Sequence, residues 1–281
     1  MRELTAMAIA LLPIVATAGS ISFSEPTLVV SGPPSAIRLT VSPDGSHQLY
    51  GQPRREEEGG LQIVERRRTA DGWSEPEDVP FNTEWNDFDP AFALDGSGVW
   101  FFSNRPGGEG GDDLWFVPLA RGVWGEPVNP GRPLNTERDE WAPTPLADGA
   151  LLFSSDGHGG LGGQDLFIAE RTAEGWRDPV NLGPPVNSPA HDYDAAFLGA
   201  GALMLSRSDA PERGAALYSS CRGEDGYGEP RPAGPNVNLG GGWGLGPSVS
   251  QAEPGMVYFS SRERGAPATG IYRAEYRLDC P

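Results

Sequence analysis

The sequence predicts an all-β protein: a five-bladed β-propeller of four-stranded antiparallel blades, closed by its own N-terminal strand. Three observations predict it. An aromatic residue, a small polar or charged residue, an acid and proline recur as FSEP from Phe23, WSEP from Trp73, WGEP from Trp124, WRDP from Trp176 and YGEP from Tyr227, in steps of 50, 51, 52 and 51 residues. Between these marks lie short runs of Phe, Tyr, Trp, Leu and Val, broken by Asp-Gly and Gly-Gly pairs, which are strand and turn signals. No stretch keeps a helical period. A repeat of this size buries its faces only by stacking on neighbours, as the blade of a propeller does.

The elements follow in chain order. Residues 1–18 have a short charged start, an apolar run from Leu4 to Ala16 and a small-x-small ending, Ala16-Thr17-Ala18. They read as a secretory signal peptide cleaved after Ala18, which leaves 19–281 as a single propeller domain. The apolar run is too short to span a bilayer, so no stable membrane insertion is expected after cleavage. Phe23–Val30 precedes the first blade and has the sequence of an outer strand. The first unit is Ala36–Arg68 with its turn at Asp44-Gly45. The second has strands Phe88–Ala93, Val99–Ser103 and Asp113–Pro118, with Trp124 to Val128 outermost. The third has Trp141–Leu146, Leu151–Ser155 and Asp165–Glu170, then Trp176 to Val180. The fourth is looser, with a turn at Ala200-Gly201 and strands Ala202–Ser206 and Ala216–Ser220. The fifth keeps Met256–Ser261 and Gly270–Glu275 and lacks an outer strand of its own. Phe23–Val30 is therefore expected to complete it and to remove a sticky edge.

Composition narrows the partner. The formal charge is −18, and all 21 basic residues are arginine. Such a surface repels nucleic acid and attracts cations and basic surfaces. Cys221 and Cys280 could pair in an oxidising compartment and tie the C-terminus to the body; the alternative is two free thiols.

The runs NDFDPAFALDGSGVWFFSNRPGGEGGDDLWF (Asn86 to Phe116) and RDEWAPTPLADGALLFSSDGHGGLGGQDLFI (Arg138 to Ile168) resemble the WD40-like PD40 propeller repeat, and Ser42 to Gly45 reads SPDG. That repeat is also found in TolB and in periplasmic proteins with OmpA-like domains. The resemblance covers about residues 23–276. It implies a periplasmic or secreted, non-enzymatic propeller that binds a protein, a peptide or an envelope component.

Aligning the repeats on their turns brings Asp87, Glu140 and Asp192 to one position and Phe88, Trp141 and Tyr193 to the next. Inner strands begin near the channel, so these six are the expected ligand-binding residues, with Asp89, Asp139 and Asp194 adding charge nearby. Such a mouth suits a basic peptide or an envelope glycan, and its carboxylates could hold a calcium ion. The alternative to ligand contact is that the acids cap amides of their own loops and the aromatics wedge between blades. Asp113 and Asp165 are expected to hold the amides of the Gly-rich loops. Asn82, Asn135, Asn187 and Asn238 are expected in Asx-turns. Trp73, Trp124, Trp176 and Tyr227 are expected to pack the outer strands.

Enzymatic signals are thin. His47, His158 and His191 lie in different units without metal-ligand spacing, so no metal centre is expected from them, and no GxSxG elbow is present. The alternative function is a glycan-active hydrolase using two carboxylates among Asp87, Glu140 and Asp192.

Overall fold

Each repeat forms one antiparallel sheet in the computed structural model, which describes residues 19–55, 59–199, 201–210 and 214–281. The expected signal peptide lies outside the described residues, as does Ala200 of the fourth turn.

Blade one comprises Ile37–Val41, His47–Pro53, Leu61–Thr69 and Gly72–Trp73. Blade two comprises Asp87–Phe92, Gly98–Ser103, Asp113–Ala120 and Val123–Trp124. Blade three comprises Glu140–Pro145, Leu151–Ser155, Asp165–Ala169 and Val180–Asn181. Blade four comprises His191–Phe197, Ala202–Ser208, Ala216–Gly223 and Gly226–Tyr227. Blade five comprises Gly244–Val249, Met256–Ser261 and Gly270–Asp279. The innermost strand of each blade packs against that of the next, and blade five's packs against blade one's, so the ring is closed. The fold is the five-bladed all-β propeller that the repeat predicts.

The core lies between blades. Leu49 and Ile63 of blade one meet Phe92, Val99, Phe101 and Trp115 of blade two; Phe102 and Leu114 of blade two share a cluster with Leu151, Phe153 and Phe167 of blade three. The strands Asp87–Phe92 and Gly98–Ser103 are buried at every position, because each of their faces meets another blade. Burying one such Phe or Leu contributes about 1.5–3 kcal/mol.

The latch is double. Ser20–Phe23 and Thr27–Val30 both pair antiparallel with Gly270–Asp279, in the registers Phe23 to Tyr276 and Thr27 to Arg273. The break between them falls at Ser24-Glu25-Pro26. The other outer strands break at the same motif: Val123–Trp124 pairs with the end of Asp113–Ala120, and only Val128 resumes, opposite Phe116. The sequence suggests one continuous strand from Trp124 to Val128. Proline has no N–H to give the ladder, so the strand divides around Glu126-Pro127.

Cys221 and Cys280 form a disulfide with Cα atoms 5.4 Å apart, joining the third strand of blade four to the chain end just beyond the latched strand. The recurrent asparagines are not simple Asx-turn residues. Asn135 accepts the amide of Leu114 and donates to its carbonyl, and Asn187, Asn238 and Asn82 do the same for Leu166, Leu217 and Ile63. Each side-chain amide thus extends the sheet of the preceding blade by one backbone-like pair.

Candidate functional site

A turn Asn-Thr/Ser followed four residues later by an acid opens the inner strands of blades two, three and four. The acid side chain turns back onto that turn. Asp87 accepts the amide and hydroxyl of Thr83 at 2.6 and 2.9 Å and pairs with Arg105. Glu140 accepts the amide and hydroxyl of Thr136 at 2.8 and 2.7 Å and the Ser155 hydroxyl at 2.7 Å. Asp192 takes the Ser188 amide and hydroxyl, both at 2.7 Å, and pairs with Arg207. All three are fully buried. The geometry therefore gives these carboxylates the loop-capping role, not an open position on the mouth.

The neighbouring aromatics divide. Phe88 is buried in a hollow left by Gly51, where a Cβ would lie 2.3 Å from its ring. Trp141 and Tyr193 remain partly exposed. The Trp141 indole Nε1 donates to the Asp112 carboxylate at 2.9 Å, and Asp112's amide donates to Asp139 at 2.9 Å. Asp113 and Asp165 do hold their loop amides, at Glu109 and Gly110 and at Leu161 and Gly162.

The residues that reach the axis are one step further on. Each inner strand carries a register shift, and within it one residue has positive φ: Arg38 (52°), Asp89 (52°), Ala142 (52°), Asp194 (44°) and Gly246 (62°). A positive φ costs a residue with a Cβ about 1–2 kcal/mol, so the ring of five is an imposed feature. Arg38 spans the channel. Its amide donates to Ser260 of blade five, and its Nη2 donates to the carbonyls of Ala142 and Pro143 and the hydroxyl of Thr144, all of blade three. Its Nη1 lies 3.7 Å from Asp194 of blade four. Asp194 also accepts the Gly246 amide. Asp89 completes the cluster from blade two.

Burial raises the pKa of Asp89 well above the usual carboxylate range, and the Asp194 charge raises it further, against the opposing pull of Arg38. Asp194 is raised by burial, with Arg38 again opposing. At the mouth, burial lifts Asp112 to about 6; its bond from Trp141 opposes this, and Asp139 and Asp113 add to it. The Tyr193 phenol is raised by burial, then by Asp194 and Asp89, which places it against the same cluster.

A pH dependence follows. A carboxylate whose folded pKa exceeds its unfolded value binds its proton more tightly when folded, so stability falls as pH rises through that window. For Asp112 the window runs from the ordinary aspartate value of 3.8 to about 6. Asp112→Asn is expected to remove this loss. Its effect on unfolding free energy should be more favourable at pH 7 than at pH 4, by on the order of 1 kcal/mol after allowance for partial exposure. Urea melts at the two pH values measure the difference.

The sequence reading missed Arg38, Ala142 and Gly246 and set Asp89 and Asp194 beside the site instead of at its centre. One signal was present. Proline follows the positive-φ residue in three blades, as Pro90, Pro143 and Pro247, and proline inside a central strand marks a bulge. No cluster of three or more His, Cys, Asp or Glu side chains among the described residues has the arrangement of a metal site. No helix of the described residues is long and apolar enough to cross a membrane.

No family model and no curated protein matches the chain. Solved structures do. The catalytic domain of a GH62 α-L-arabinofuranosidase from Coprinopsis cinerea is 12% identical, with a TM-score of 0.58 over 94% of this chain and 99% of that one. A putative TolB from Agrobacterium tumefaciens is 14% identical, with a TM-score of 0.53 over 93% and 88%. TolB from Acinetobacter baumannii is 14% identical, with a TM-score of 0.51 over 88% and 57%. At these identities the likeness is one of fold, and this chain has the propeller fold that those proteins share.

Proposed function

We propose that this chain is a secreted or periplasmic, non-enzymatic binding propeller of the PD40 type, which recognises a protein, peptide or cell-envelope component at the acidic–aromatic mouth of its channel. The observation that carries the reading is the Trp141–Asp112 pair. An indole held by a carboxylate and backed by Phe102, with its ring 6.3 Å away, while still partly exposed, is a pre-oriented anchor of the kind that dominates binding energy. The net charge of −18 favours a basic partner and speeds its encounter. Against hydrolysis by Asp87, Glu140 and Asp192, each is enclosed with its oxygens occupied by neighbours, whereas a catalytic carboxyl must reach its substrate.

The test is selection of random twelve-residue peptides on the folded protein, with Trp141→Ala as counter-target. Enriched peptides should bind the wild type at least 10-fold more tightly than a Trp141→Ala variant of unchanged fold. Equal affinity for both proteins overturns the assignment of the mouth. Peptide-free enrichment of an envelope glycan, lost on the same variant, would keep the mouth and change the partner.

A further inference from the structure

Hydrogen-bonding capacity is left open at the axis. The buried acids that cap the strand entries and the Gly-rich loops are saturated, as Asp87, Glu140, Asp192 and Asp113 show. Asp89 is different. It is 6% exposed and makes no hydrogen bond with another described residue; only burial and the charges of Asp194, Arg38 and Asp112 act on it. Arg38, 2% exposed, also leaves its buried Nε and Nη1 without a hydrogen-bond partner. Buried polar groups in native proteins are nearly always paired, so the two open Arg38 donors, with an unbonded carboxyl on the packed neighbouring inner strand, mark a polar spot that a ligand can fill.

The charge balance says which ligand. Two acids, Asp89 and Asp194, share one cation, Arg38, and the 3.7 Å contact assigns that cation to Asp194. Asp89 is left without a cation of its own, near Asp112, with Tyr193 and Trp141 supplying aromatic surface nearby. All three axial groups are buried, so a ligand that reaches them must be slender. Taking the mouth as the binding surface, as above, we infer that Asp89 is the seat for a primary ammonium group, the lysine side chain of a bound basic peptide, with the Arg38 donors open to the oxygen atoms that accompany it. The seat also couples binding to a proton. Arg38, Asp194, Asp112 and Tyr193 are the charged and titratable groups that face Asp89, and in the free protein burial and Asp194 favour its neutral form. An arriving ammonium ion favours the carboxylate, so a proton leaves as the ligand enters.

The experiment is isothermal titration of the full chain with decalysine and with its fully Nε-acetylated counterpart, at pH 6 in two buffers of different ionisation enthalpy. Decalysine is expected to bind with proton release; the acetylated peptide is expected not to bind. Asp89→Asn should weaken decalysine at least 10-fold and abolish the proton release. Glu224→Gln removes an equal charge from an exposed turn and should change affinity less than 2-fold. Wild-type affinity in Asp89→Asn overturns the seat, as does binding of decalysine without proton release. If Trp141→Ala weakens decalysine while Asp89→Asn does not, the mouth stands as the binding surface and the ammonium seat alone falls. Loss of neither overturns both.

Discussion

Replacing Arg38 with alanine is expected to cost about 3–5 kcal/mol, the range for removing one partner from a buried ion pair. No other side chain described here reaches as many blades. Three bonds to blade three and the contact with Asp194 of blade four vanish together, and Asp194 is left in the channel with no cation beside it. For a chain of this size the melting midpoint should fall by roughly 10 °C. Two companion variants give the result meaning. Adding Asp194→Asn should recover at least half of the loss, because the stranded charge is then gone. Arg38→Gly should be about 1 kcal/mol more stable than Arg38→Ala, because glycine adopts the backbone angle of 52° without a Cβ clash. A cost below 1 kcal/mol for Arg38→Ala would show that the axial network does not hold the ring.

The second large effect is at the seam. Cys221 and Cys280 close a loop across a sequence separation of 59, and chain-entropy arguments give such a cross-link about 4 kcal/mol. Cys221→Ser combined with Cys280→Ser should therefore lower the unfolding free energy by about 3–4 kcal/mol, read from urea melts. Protease should then act first on the latch. Phe23 and Tyr276 pack, with Cys280, onto the core between blades four and five, and the disulfide fixes the far end of that layer. Unchanged stability in the double variant would mean that strand pairing alone closes the ring.

Much of the architecture was legible because it repeats. The acid-proline mark locates the outer strands, and its first copy at Phe23 marks the closing strand. The site was less legible, for a definite reason. Side chains in a regular strand alternate with period two, so counting from the turn places Asp87, Glu140 and Asp192 near the mouth. The bulge inserts a residue and shifts that alternation, which delivers Arg38, Asp89 and Asp194 to the axis. Arg38 was further obscured because it breaks the acidic pattern of its neighbours. The asparagine clamp was hidden because its partner lies 21 residues earlier, in another blade. Trp141 lies before the bulge of its strand, its indole nitrogen held by an acid from the preceding loop.

The double latch also sets the timetable of folding. Ser24 bonds to Glu275, a pairing 251 residues apart. The strands Ser20–Phe23 and Thr27–Val30 therefore have no partner until Gly270–Asp279 has been made. Contacts of such separation bring a large loop-closure entropy and slow the search for the native state. In the interval, four blades can assemble with the fifth still incomplete, and the unpaired edges at both ends are then open to other chains. Closure is one late event that converts a row of marginal sheets into a single cooperative body.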